Sequence, residues 1–72
     1  MFLIRATVSR KNDDSEQNVT RYAYDDEIAH ENWFKYNAKL FETKALANNF
    51  LVKYEKEMNK LYIVHNIEII EV

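Results

Sequence analysis

The chain contains neither glycine nor proline. That absence limits its connections before any element is assigned. Two-residue hairpin turns need backbone at positive φ and rely on pairs such as Asn-Gly. Without Gly they are disfavoured, so a hairpin here should close through a longer polar loop. Helices also lack their usual left-handed terminator, for which Asn is the substitute. At average usage of roughly 7% and 5%, losing both residue types over this length has a chance probability on the order of one in ten thousand. Asn (8), Lys (7) and Ile (6) are common instead. Gly and Pro codons are GC-rich and those three are AT-rich. The composition therefore points to an AT-rich genome, such as many bacteriophages and low-GC bacteria have. The other reading is structural: a fold in which no position demands Gly.

At 72 residues the chain reads as one domain, 1–72. A chain of this size buries only about 60% of the surface its unfolded form exposes. With no Cys, neither a disulfide nor a thiolate metal site supplements the core. Packing must supply the stability, with a second copy or a partner as the other source. The 47% apolar content, with ten aromatic residues, is too high for a disordered chain. A formal charge of −2 is too mild to argue for polyanion binding or for mimicry of nucleic acid. "MFLIRATVSR" has only four residues before Arg5 and reads as no signal peptide. "LYIVHNI" is far short of a membrane span. A cytoplasmic protein is expected, without membrane contact. "NVT" at Asn18 fits a glycosylation acceptor by pattern only.

Periodicity places the elements. In the first ten residues Phe2, Ile4, Ala6 and Val8 alternate with Leu3, Arg5, Thr7 and Ser9, the period of a half-buried strand. "KNDDSEQN" (11–18) is a polar loop. "VTRYAY" (19–24) is β-branched and aromatic, and reads as the return strand. Residues 25–37 carry two patterns. Asp25 or Asp26 could cap a short helix, while Phe34, Tyr36, Ala38 and Leu40 alternate as in a strand. The expectation is a helical turn near 26–32, then an extended segment through Phe41. Thr43 is a good N-cap. After it Leu46, Phe50, Tyr54 and Met58 recur every four residues, with Ala47 and Leu51 beside them. This predicts an amphipathic helix over 44–59, with Asn59 as its stop. The last segment alternates again. Leu61, Ile63, His65, Ile67 and Ile69 should meet the helix, and Tyr62, Val64, Asn66, Glu68, Ile70 and Val72 should face away. The expected fold is α+β: a small antiparallel sheet of about three strands with one main helix on one face, in the order β-β-(short α)-α-β.

Ala38, Phe41, Thr43 and Ala47 spell A-x-x-F-x-T-x-x-x-A between an extended segment and a helix, and a last strand "IEIIEV" follows. This resembles a loose class of very small proteins from bacteriophages and prophages. Their order is hairpin, A-x-x-F-x-T corner, helix and last strand. The resemblance covers residues 38–72 well and the rest only in order. It implies origin and fold more than activity. Small phage proteins of this kind often bind a host protein and redirect or inhibit it, in host takeover or anti-defence.

No constellation for catalysis stands out. His30 and His65 are the only histidines, and neither has a second His three or four residues away. His65, on the expected core face, reads as a satisfied, partly buried structural residue. Asp13, Asp14 and Glu16, and likewise Asp25, Asp26 and Glu27, read as solvated clusters. They lack an EF-hand register. There is no phosphate-cradling Gly loop. No enzyme activity, metal or cofactor is expected. Two binding readings remain. Leu3, Tyr62, Val64, Ile70 and Val72 form a surplus apolar sheet face, and Tyr22, Tyr24 and Trp33 an aromatic-rich region suited to a protein interface. The plain alternatives are that segment 25–37 covers the sheet face and that the aromatics pack the core and corner; otherwise these residues predict binding to a host bacterial protein, or a homodimer. An edge strand could also recruit a partner by strand addition. The alternative is a nucleic-acid module in which Arg5, Arg10, Arg21, Tyr22 and Tyr24 bind phosphates and stack bases. The acidic pI of about 5.6 and the Asp-rich loop weigh against it.

Overall fold

The alternating N-terminal segment becomes an inner strand of a four-stranded sheet. The computed structural model describes residues 1–23, 31–32 (by backbone alone) and 38–72. In it β1 runs Phe2–Arg10, β2 Val19–Ala23 and β3 Glu31–Asn32. The helix α1, Lys44–Leu61, leads directly into β4, Tyr62–Glu71. The strand order is β3-β2-β1-β4, and every pair is antiparallel. The fold is α+β, a small sheet with one main helix. One element of the expected order is corrected. Glu31 and Asn32 are not helical but pair with Ala23 and Tyr22, where they give the outer main-chain groups of β2 a partner. The rest of the expected 26–32 turn, and the segment 33–37, lie outside the described residues.

The polar loop 11–18 closes the hairpin without Gly. Asp13 Oδ1 accepts the N–H and the hydroxyl of Ser15 at 2.9 and 2.6 Å, a side-chain mimic of a turn. The Arg10 N–H donates to the Glu16 carbonyl at 2.8 Å. Asn18 then takes φ 53°, the left-handed conformation that Asn tolerates better than most residues. At the end of β2 the Ala23 carbonyl accepts the Lys39 N–H at 2.7 Å. Phe2 and Phe41 then exchange main-chain bonds of 2.8 and 2.7 Å, which docks the corner against the start of β1.

Thr43 caps α1 as expected. Its backbone is extended and its Oγ1 accepts the Leu46 N–H at 3.2 Å. The buried stripe is Ala47, Phe50, Tyr54 and Met58, with Leu51 half-buried beside it. Leu46 is not part of it: at 51% exposure it sits off the stripe that Ala47 and Phe50 define. Nor does Asn59 stop the helix. The helix runs on to Leu61, and Tyr62 ends it by turning extended while its N–H still reaches the Met58 carbonyl. Ile4, Ala6, Val8 and Ala23 meet the stripe from the sheet, with Phe41 and Tyr62 completing the cluster. The Phe41 and Phe50 rings sit 5.5 Å apart at the corner. Each large side chain buried here contributes about 1.5–3 kcal/mol.

The pairing of β1 with β4 overturns the expected faces of the last strand. From Phe2–Glu71 to Thr7–Asn66 the register is regular, and then Val8 pairs with Val64. His65 is the extra residue of a β-bulge. One inserted residue exchanges the two faces of everything beyond it. Ile67 and Ile69 pack toward the helix as expected, but so do Tyr62 and Val64. Tyr62 is 1% exposed, so it belongs to the core and not to an outer face. His65, expected in the core, is exposed, and so are Leu61 and Ile63.

Candidate functional site

The expected apolar face divides into a covered half and an open half. Leu3 lies on the side away from the helix, yet its own chain covers it to 1% exposure. Tyr22, on the same side opposite Arg5, is also buried. Tyr62 and Val64 have left this face through the bulge. What remains open is carried by β4 and the residue after it: Ile70 half-buried, Val72 exposed, and Ile63, which sequence reasoning assigned to the core, at 54%. Tyr24 and Trp33, with Phe34, Tyr36 and His30, lie outside the described residues, as do Asp25, Asp26 and Glu27.

The hairpin arginines do not form one basic surface. Arg5 points away from the helix and meets Glu68 through Nε and Nη2 at 3.0 and 2.6 Å. Arg10 and Arg21 both reach Glu16, at 3.2 and 2.8 Å. The Glu68 and Glu16 carboxylates raise the Arg5 and Arg10 guanidinium pKa values above the usual range, mainly through these hydrogen bonds. Arg21 is buried on the helix side of the sheet, opposite Ala6. Arg10 also lies 5.6 Å from the centre of the Tyr62 ring. The three cations are split between two faces, and each is held by a carboxylate.

Among the described residues no group of three or more acidic or histidine side chains is placed to hold a metal ion. An open cleft of about 470 Å³ lies at the strand-to-helix corner, with Leu40, Phe41, Leu46 and Phe50 as its apolar floor and Lys39 and Lys53 at its rim.

Among the described residues the free side of β4 differs from these surfaces because its chemistry is main-chain. β4 is ten residues long and lies at the end of the sheet order. Val72 and Met1 exchange main-chain bonds of 2.8 and 3.3 Å. By antiparallel alternation Leu3–Ile70, Arg5–Glu68 and Thr7–Asn66 are then the hydrogen-bonded pairs. Beyond the bulge the Lys11 N–H donates to the Leu61 carbonyl at 3.1 Å, which assigns the same role to Ser9–Ile63. The intervening residues, Val64, Ile67, Ile69 and Glu71, therefore turn their N–H and C=O groups away from β1. Tyr62 does so with its carbonyl only, since its N–H completes the helix. Such a row is a template for another strand. His65 marks its middle. Its Nε2 lies 2.7 Å from Ser9 Oγ, which also accepts the Asn18 N–H at 2.9 Å.

Of these residues, the expected site included Ile70, Val72, the now-buried Tyr62 and the half-buried Val64. It missed Ile63, His65, Ile67, Ile69 and Glu71. The signal that could have found them is order: which strand lies outermost is not written in any local pattern. No helix among the described residues is long and apolar enough to cross a membrane. The sequence matches no protein-family model, and neither curated proteins nor solved structures give a match.

Proposed function

We propose that this is a non-catalytic protein-binding module of phage origin, which acts in the bacterial cytoplasm by occupying a host protein and modulating or inhibiting it. The observation that carries the reading is the β4 edge. Its main-chain groups at Val64, Ile67, Ile69 and Glu71 are turned outward, and exposed Ile63 and Val72 flank them. Strand addition uses this combination: main-chain bonds supply affinity and flanking apolar side chains supply selectivity. The phage origin rests on the corner motif and the AT-rich composition. The paired arginines support protein over nucleic acid as the target.

The test is capture of a stoichiometric protein by the tagged chain from nuclease-treated bacterial lysate, repeated with edge variants. Glu71→Pro removes only an outward N–H and adds a ring that blocks pairing. Ile63→Lys places a charge beside the edge. Both should lose the captured protein, while Val52→Lys, on the exposed side of α1, should keep it. Capture should hardly change with added salt, whereas phosphate contacts weaken steeply. Capture that ignores both edge variants, or recovery of nucleic acid alone when nuclease is omitted, would refute the proposal.

A further inference from the structure

We infer that in the free protein the β4 edge is occupied by β4 of a second copy, antiparallel about a two-fold axis between Asn66 and Ile67. The bulge is the first argument. Outward main-chain groups on a straight strand recur every second residue. On β4 they fall at Val64, then three residues on at Ile67, then at Ile69 and Glu71. A straight foreign strand that matches Val64 therefore falls out of phase at Ile69. A second copy does not. When Val64 faces Ile69 of the partner copy, Ile69 faces Val64 of the partner, because the two bulges lie opposite each other at the axis. Each Val64–Ile69 pair then exchanges two main-chain bonds. At either end a Glu71 N–H meets the outward-turned carbonyl of Tyr62.

Side-chain chemistry in that register is the second argument. On the face away from the helix, Ile63 lies across from Ile70 of the partner copy, and His65 across from Glu68 of the partner copy. Each contact occurs twice. The exposed Ile63 and half-buried Ile70 are the open apolar residues of that face within β4, and here they meet one another. The outward His65 gains a carboxylate partner. Glu68 already accepts Arg5, and its side chain is 42% exposed, so it retains an open side. Directly opposed apolar pairs and opposite-charge pairs stabilise antiparallel sheets. On the helix face, Val64 and Ile69 extend the two cores into one layer. The assembly is a continuous sheet of two four-stranded halves, and it holds the edge in reserve until a target competes for it.

This inference uses the same edge as the proposed function, but its test separates the two. Sedimentation equilibrium should show the mass rising toward the dimer with concentration. Ile63→Glu and Ile70→Lys should each stay folded by circular dichroism and weaken self-association by about tenfold or more, from two mispaired sites. Mixed together they should recover the dimer, since the introduced carboxylate then meets the introduced ammonium at one end and Ile meets Ile at the other. The cysteine-free chain allows a second reading of the register. Positions 63 and 70 form a non-hydrogen-bonded pair, whose Cα atoms lie about 4.5 Å apart and accept a disulfide. The double variant Ile63→Cys, Ile70→Cys should crosslink into a dimer under oxidised glutathione. Ile63→Cys alone should not, because its two copies would sit roughly 23 Å apart along the strands. A chain that stays monomeric at every concentration overturns the inference. So does a mixture no more dimeric than its folded components, or Ile63→Cys crosslinking as fast as the double variant. A folded monomer that loses its target through the edge variants would remove the dimer and keep the proposed function. A dimer whose target capture ignores those variants would do the reverse.

Discussion

β1 and β4 are neighbouring antiparallel strands of nearly equal length, nine and ten residues, and both alternate in sequence. They have opposite uses. β1 is paired on both sides, and Leu3, Ile4, Ala6, Val8 and Ser9 are all buried. Among the described strands β4 is paired on one side, and within it only Tyr62 is buried. β1 organises the fold, while β4 presents it. A strand's apolar content is therefore a poor guide to its depth: β4 is the richer in isoleucine and the more exposed. What decides depth is the number of neighbours, and sheet order sets that number.

Moving one charge between the two strands gives the sharpest contrast. Val8→Asp buries a carboxylate beneath α1 and should cost about 4 kcal/mol or more, enough to unfold most of so small a domain. Ile63→Asp should change stability by no more than about 0.5 kcal/mol. Urea denaturation of the two variants checks both numbers, and similar losses would mean that β4 is as deep as β1. An intermediate effect lies on the β2 side of the sheet. Glu16 holds both Arg10 and the buried Arg21. Glu16→Gln leaves a buried guanidinium short of its carboxylate and should cost about 2 kcal/mol, below the full penalty because Glu16 is itself partly exposed. No equivalent clamp protects the free side of β4 among the described residues.

The smallest effect belongs to the hairpin loop. The Ser15 hydroxyl and N–H hold the Asp13 carboxyl below the usual carboxylate range. A carboxylate whose folded pKa is depressed stabilises the fold above its ordinary pKa, and this is lost as pH falls through the folded value. Asp13→Asn should therefore speed exchange of the Ser15 amide at neutral pH and leave it unchanged once Asp13 is protonated. Equal exchange in both proteins at neutral pH would show that the turn stands without the carboxylate.

Much of this fold was legible. Alternation gave β1, the four-residue recurrence gave α1, and Thr43 marked its start. The absence of Gly predicted a long hairpin loop, and Asn18 took the left-handed position that Gly would have filled. The last strand was misread because period two carries no mark of an inserted residue. His65 is the bulge, and it moved Tyr62 into the core, Val64 against it and Ile63 to the surface. The candidate site was less legible than the fold for the same reason. Its residues are chosen by which main-chain groups lack a neighbour, and that depends on sheet order and on the alternation of bonds with β1. The arginines looked like one patch in sequence. Only pairing shows that Arg21 opposes Ala6 on the helix side while Arg5 opposes Tyr22 on the other.

Residue-resolved amide exchange across β4, at low and high protein concentration, tests the central claim most directly. Ile63, Asn66, Glu68 and Ile70 donate toward β1 and should exchange slowly at both. Val64, Ile69 and Glu71 should exchange fast when dilute and slowly when concentrated, as a second copy closes the edge. Slow exchange of those three at every concentration would mean that the chain covers its own edge. Fast exchange at every concentration would mean that no second copy occupies it. Either result contradicts the account.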